Sequence, residues 1–241
     1  LPINRDTSSL FAAKFNSIKS SRLTPVYNDY SKEITKKDLS SNIPLYYVNN
    51  NSNEIFTLSY ILDMGEFSDL EMSLAVKYLQ YLGTDQYSST EIEREMYKLG
   101  LSYSVNVAEE RVYVSLSGLE ESLEDGIKLF EHILSNVQSD QIAYDNMVLD
   151  MIKQRENNKL SKGYISYGMR EYAKYGDESP FKYMISSNDL ESMDTEKLVK
   201  KIKQLTSYQH YIYYYGKKNI KDVCSILEKY HFSPKDLLPL L

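Results

Sequence analysis

The chain has 241 residues, 42% of them apolar and 26% charged, with 34 acidic against 28 basic side chains and a net charge of -6. That length buries roughly 70–75% of the surface an unfolded chain exposes, so core size limits neither one large domain nor two small ones. No apolar run approaches the roughly 20 residues that cross a bilayer, and basic residues gather no further than pairs such as Lys36-Lys37 and Lys200-Lys201, which gives nucleic-acid binding little electrostatic support.

The chain opens Leu1-Pro2 with neither a charged leader nor an apolar signal segment, and reads as a mature product or an excised piece of something longer. Leu10, Phe11, Phe15 and Ile18 predict a weak amphipathic helix over Ser9–Ser20, and a polar, Pro-containing connection follows to about Asn42. Residues 1–40 are thus expected to be a helix and linker that docks onto a domain of residues 41–241. Ile43–Val48 and Ile55–Leu62 are rich in aromatic and branched residues, and Asn49 to Asn53 between them supply turn chemistry, which predicts an antiparallel hairpin.

Ser68 with Glu71, and Thr90 with Glu93, fit capping boxes, so helices are expected from there, the second closed by Gly100. Ser102–Val107 and Val112–Leu116 read as a second hairpin around Ala108-Glu109-Glu110. Leu119, Leu123, Ile127, Phe130 and Leu134 then recur at helical spacing, and Ala143, Met147, Met151 and Ile152 repeat the pattern. Further helices are expected at 163–174, 195–205 and 219–229, with a strand at 210–215. Antiparallel strands interspersed with long helices predict an α+β fold: a two-layer domain with a mainly antiparallel sheet covered on one face by helices.

Most candidate sites have a structural reading. Cys224, the single cysteine, excludes an internal disulfide and sits in the apolar phase of a helix, as a small core residue would. His132, His210 and His231 fall in three elements without a second ligand at i+3 or i+4, and only a composite zinc site could use them. Glu91, Glu93 and Glu95 open a helix, where acids complement its positive end. The 23 tyrosines raise a glycan or peptide platform, yet Tyr211, Tyr213 and Tyr215 share one strand face and can simply pack. No G-x-S-x-G, no Cys-His pair and no Gly-rich phosphate loop is present.

Residues 70–84, LEMSLAVKYLQYLGT, carry a resemblance. The stretch resembles the motif helix of the pitrilysin and insulysin family of zinc metallopeptidases, the inverzincins, whose active halves carry H-x-x-E-H before an aromatic and a Gly-Thr pair. Tyr81, Gly83 and Thr84 keep that ending. NEIFTLSYILDMGEF (53–67), EIEREMYKLGLSYSVNVAEERVYVSLSG (91–118), LEESLEDGIKLFEHIL (119–134), YAKYGDESPF (172–181) and HYIYYYG (210–216) are similar to successive family segments. The likeness runs from about Leu23 to about Asp222, and the wording is similar to non-catalytic domains of large zinc proteases from Bacteroides-like bacteria.

The resemblance implies a metallopeptidase half-domain of the pitrilysin/mitochondrial-processing-peptidase type without its chemistry. The two histidine positions fall on Leu74 and Tyr78 and the glutamate on Lys77; Leu offers zinc nothing, and Lys offers a cation where a base is needed. The further carboxylate ligand falls within Asp150 to Ile152 of the helix 144–155, where Asp150 reads as a solvated helix residue. Lys77 is expected to reach the chamber wall or pair with a carboxylate. The chain alone is therefore expected to be inactive, with no catalytic or metal residue and no cofactor of its own; zinc belongs to a partner catalytic half, on the same polypeptide or a separate subunit. By resemblance the domain walls a peptide chamber, contacts the zinc-bearing half and faces the periplasm or cell envelope, with Ser102, Ser104 and Asn106 as candidates on an edge strand that adds peptide. The alternative is a structural scaffold or assembly subunit that handles no peptide; a third, weaker reading is a Tyr-rich glycan-binding module.

Overall fold

The computed structural model describes residues 9–19, 23–25, 27, 29–40, 42–234 and 236–240; Leu1-Pro2 and Ser20, named above, lie outside them. The chain divides into two compact units, Leu1–Lys32 and Glu33–Leu241. The first contains α1 (Leu10–Asn16), which begins where the Ser9 hydroxyl accepts the Ala12 N–H at 3.1 Å. A short α2 (Tyr30–Glu33) leads into β1 (Ile34–Asp38), a strand within the segment read as linker from its polar sequence. Four of its five residues are exposed, so it carries no apolar alternation to announce it.

The second unit is built on a six-stranded sheet ordered β1-β2-β6-β3-β5-β4. Its strands are β2 (Pro44–Asn49), β3 (Ile55–Leu62), β4 (Leu101–Val107), β5 (Val112–Leu119) and β6 (Tyr211–Gly216). Only β2 and β6 run parallel; β1–β2, β6–β3, β3–β5 and β5–β4 are antiparallel. The predicted hairpin of β2 with β3 does not form, because β6 inserts between them. Asn50 directs this. It is 1% exposed, its N–H donates to the Gly216 carbonyl of β6 at 2.8 Å, and its side-chain amide holds Asn53 and Ile55, so the turn spreads the strands one strand apart. The β4–β5 hairpin forms as expected.

One sheet face is the core, with Leu45, Ile212, Tyr214, Leu58, Tyr60, Val114 and Leu116 at 2% exposure or less. Over it lie α3 (Leu70–Tyr78), α4 (Ser89–Lys98), α5 (Leu123–Asn136), α6 (Gln141–Leu160), α7 (Lys162–Tyr175), α8 (Ser187–Glu191), α9 (Thr195–Lys203) and α10 (Ile220–Tyr230). Helices α3 and α4 pack on β4, while α5 packs on β5, α9 and α10. The other face carries Tyr46, Tyr211, Tyr213 and Tyr215, partly exposed, with Ser59 and Ser115 joined at 2.7 Å. The domain is α+β with one helical layer, as the pattern predicts.

Both predicted caps shift. Asp69, not Ser68, caps α3 by accepting the Met72 N–H at 3.0 Å. The capping box of α4 is Ser88 with Glu91, two residues before Thr90 and Glu93. Ser88 wins because both of its reciprocal bonds form, and its N–H and hydroxyl, each donating to the Glu91 carboxylate, hold that carboxyl below its usual pKa. Gly100 follows α4 at φ +65°, the left-handed conformation that a side chain resists. Leu119 ends β5, 40% exposed, instead of starting the α5 stripe; Leu123, Ile127, Phe130 and Leu134 keep that stripe buried.

Candidate functional site

The motif helix enters from a tight turn. A Cβ on Gly65 would meet the Ala108 carbonyl oxygen at 2.3 Å, since the turn lies against the tip of the β4–β5 hairpin, where Glu66 and Phe67 donate N–H groups to Ala108 and Glu109 at 3.0 Å each. Leu70, Ser73, Leu74, Lys77 and, one turn on, Tyr81 share the helix face that lines a cavity of about 600 Å³. Met147, Asp150, Met151 and Gln154 of α6 form the facing wall, and aromatic residues of the 164–183 segment close the side.

Within this cleft Leu74 is buried, and the Lys77 ammonium lies 3.3 Å from Glu66 Oε1 as a loose, half-exposed ion pair. Tyr78 lies outside the cavity lining. Fully buried, its hydroxyl donates to the Asp140 carbonyl at 2.6 Å and accepts the Asp140 N–H at 2.9 Å, while its ring meets Tyr144 edge-on at 5.3 Å. Burial raises its phenol pKa. Asp140 caps α6, so Tyr78 ties the motif helix to the start of the facing helix.

These residues do not fit zinc. Leu74 has no donor atom, Lys77 presents a cation, and the Tyr78 oxygen is already committed to Asp140. Asp150 is exposed and lines the cavity without an ion pair among the described residues. Among the described residues, no group of three or more His, Cys, Asp or Glu side chains is placed to hold a metal. Gly83 and Thr84 serve the backbone: a Cβ on Gly83 would meet the Tyr87 oxygen at 2.6 Å, and Thr84 Oγ1 accepts from Gln86 and Tyr87.

Beside the cleft, β4 is the last strand of the sheet. Ala108 donates to Arg111 and Leu119 donates to Gly100, which sets the ladder phase: residues 100, 102, 104, 106 and 108 turn their backbone groups toward β5. Tyr103 and Val105 therefore turn theirs outward. Only the Gln80 amide meets them among the described residues, at 3.4 Å from the Val105 carbonyl. Ser102, Ser104 and Asn106 are exposed on the open sheet face, with Ser102 and Ser117 hydroxyls 3.3 Å apart. Their backbones are engaged with β5, and the outward backbone groups belong to Tyr103 and Val105, which the sequence pattern does not single out. The two-residue parity from the 108–111 turn could have found them.

The histidines separate. His132 bonds Thr84 at 3.1 Å and Asn136. His210 and His231 meet in the core, Nε2 to Nε2 at 2.9 Å, with His231 Nδ1 2.7 Å from Glu131, which also accepts the Tyr60 hydroxyl. Burial and the His231 neighbour push the His210 pKa down to about 4, and burial with the Glu131 carboxylate drives the Tyr60 phenol well above its usual value. Cys224 is buried, and the tyrosine row lies on the open face.

No family model and no curated protein matches the sequence. Solved structures match the fold. The ferredoxin protease FusC, solved in complex with Arabidopsis ferredoxin, superposes at TM-score 0.71 with 14% identity over 93% of this chain and 25% of that chain. The periplasmic protease PqqL from Escherichia coli gives 0.71 and 13%, over 98% of this chain and 30% of that one. A peptidase M16 inactive domain from Pseudomonas fluorescens gives 0.70 and 16%, over 86% and 52%. The chain has the fold of a peptidase M16 domain. It spans about a quarter to about half the length of these M16-fold chains. No helix among the described residues is long and apolar enough to cross a membrane.

Proposed function

We propose that this chain is a non-catalytic domain of a zinc metallopeptidase, walling the peptide chamber and contacting a zinc-bearing half that supplies the metal. One observation carries the reading: in an M16 fold, the motif helix is sealed against zinc by Leu74, Lys77 and the Tyr78–Asp140 tie, while the β4 edge beside it keeps the Tyr103 and Val105 backbone groups facing outward. Chemistry is gone and a strand-binding edge remains. A peptide that pairs with Tyr103 and Val105 would lie beside Ser102, Ser104 and Asn106 as cross-strand neighbours. A similar structure named as an inactive M16 domain, and another solved with a polypeptide bound, support the role. The protease described as periplasmic supports a periplasmic or cell-envelope setting.

The test adds this chain to a zinc-bearing M16 half and measures peptide cleavage. Val105→Pro removes one outward N–H without touching the bonds to β5, so cleavage support is expected to fall at least fivefold while the fold persists. Assembly with no effect on cleavage would instead establish the alternative, a scaffold that handles no peptide.

A further inference from the structure

The outer edge of β4 runs between two cavities. At its C-terminal end lies the cleft of about 600 Å³ under α3, reached through Glu109; at its N-terminal end lies one of about 320 Å³ bordered by Glu93, Met96, Tyr97, Leu101 and Tyr103. Gln80 borders the smaller cavity and Tyr81 the larger, so these neighbours stand where the two meet. The 3.4 Å contact from Gln80 to the Val105 carbonyl is long for a hydrogen bond, a weak cover over a free acceptor.

We propose that this track holds an extended polypeptide of about six residues, the span of β4 at ~3.4 Å per residue, and that the larger cavity takes one bulky apolar side chain with a basic residue close by in the sequence. The inference rests on the peptide-edge reading above and adds the class of sequence recognised. Outward backbone groups two residues apart, at Tyr103 and Val105, select a strand over a compact small molecule. The cavity wall selects the side chain: Phe67, Leu74, Met147, Met151, Tyr183 and Met184 offer apolar and thioether surface, and unbranched methionines adapt to more than one bulky shape.

Charge selects the neighbour. Lys77 is matched by Glu66 at 3.3 Å, and Arg155, held by the Ile185 carbonyl at 2.8 Å, keeps its charge, so Glu66, Glu109 and Asp150 outnumber the two cations of the lining by one. Glu109 and Asp150 line the same cavity without an ion pair among the described residues, and Glu93 borders the smaller one. A lysine or arginine beside the apolar residue meets these carboxylates at the rim, where screening keeps the gain modest. On binding, the Gln80 amide gives way to a peptide N–H at the Val105 carbonyl.

The test measures fluorescence anisotropy of labelled ten-residue peptides on the unmodified chain. One peptide carries a central Phe flanked by Lys; its relatives change Phe to Ala, or Lys to Glu. Phe to Ala is expected to weaken binding at least tenfold and Lys to Glu about threefold. Met184→Asn, a neutral polar change at a 41% exposed position, is expected to bring the Phe peptide toward the Ala peptide. Equal binding of Phe and Ala peptides overturns the inference, yet leaves the edge reading standing if Val105→Pro still abolishes both. Absence of binding by every peptide overturns the edge reading and this inference together.

Discussion

The cleft under α3 and the network at the end of α10 contain similar groups and use them in opposite ways. In the cleft, Lys77 and Glu66 keep side chains 41% and 37% exposed and touch loosely at 3.3 Å. In the network, the His231 side chain is fully buried and that of Glu131 nearly so, with 2.7 Å between them. Tyr60, His210 and Ser233 complete its bonding, and among the described residues no buried side-chain polar atom lacks a partner. The cleft pair stands in water and the network pair does not. Dielectric explains the difference: a charge partner matters most where water cannot replace it.

The sharpest break of that contrast is Glu131→Ala. It leaves His231 Nδ1 and the Tyr60 hydroxyl without their acceptor in a dry site, and unfolding free energy at pH 7 is expected to fall by about 3–5 kcal/mol. A fall below 1 kcal/mol in a urea titration would remove the network from the stability account. The next effect is a pH dependence. The Tyr208 carbonyl only accepts, so His210 carries its proton on Nδ1, at 2.6 Å, and its Nε2 accepts from His231. A second proton on His210 would set N–H against N–H at 2.9 Å.

Its folded pKa of about 4 lies below the ordinary 6.5, so as pH falls through that window the unfolded chain takes up the proton first. Stability from neutral His210 is therefore complete above pH 6.5 and drains away toward pH 4, by roughly 3 kcal/mol in all. The groups facing His210 are Tyr60 from β3, Glu131 through His231, and Asp63 and Asp236 across a neighbouring cavity. His210→Gln is expected to flatten the curve of urea midpoint against pH between 6.5 and 4; an unchanged slope assigns the dependence to other groups.

Tyr78→Phe tests the tie between the two helices that wall the cleft, α3 and α6. The ring stays against Tyr144, while the Asp140 N–H loses its buried acceptor, and a loss of about 1–3 kcal/mol is expected. Hydrogen exchange at the first turn of α6 checks it locally: protection there should fall before that of β3 and β5.

Legibility followed the kind of signal each residue gives. The β4–β5 hairpin and the α5 stripe are readable because alternation and helical spacing are local, and the poor fit of the motif helix to zinc is readable because Leu74 and Lys77 are unsuited by side chain alone. The partner of β2 was not readable: β6 lies more than 160 residues away, and the turn residues 49–53 fit a hairpin as well as the splayed crossing that Asn50 builds. The His210–His231–Glu131 chain was hidden for the same reason, since its members come from three elements that meet only in the fold. At the edge strand, hairpin phase separates Tyr103 and Val105, whose backbone groups face outward, from Ser102, Ser104 and Asn106, whose side chains are exposed, and exposure alone reads only the second set.

The smallest expected effect sharpens the opening contrast from its other side. Lys77→Met removes a cation from the helix position where the resembled family keeps its base, and its partner Glu66 is left free to meet water because it is more than a third exposed. An exposed pair of this kind contributes about 0–1 kcal/mol, and Met restores packing along the stem, so the unfolding midpoint should shift by no more than the equivalent of about 0.5 kcal/mol. Peptide binding should respond in the opposite sense from stability. With Lys77 gone, Glu66 joins Glu109 and Asp150 as unmatched carboxylate, and preference for the Lys-flanked peptide over its Glu-flanked relative should widen about threefold. A large stability loss instead would mean that the Lys77–Glu66 pair carries structural weight like the buried network, and the division between expendable and essential charges would fail at its first residue.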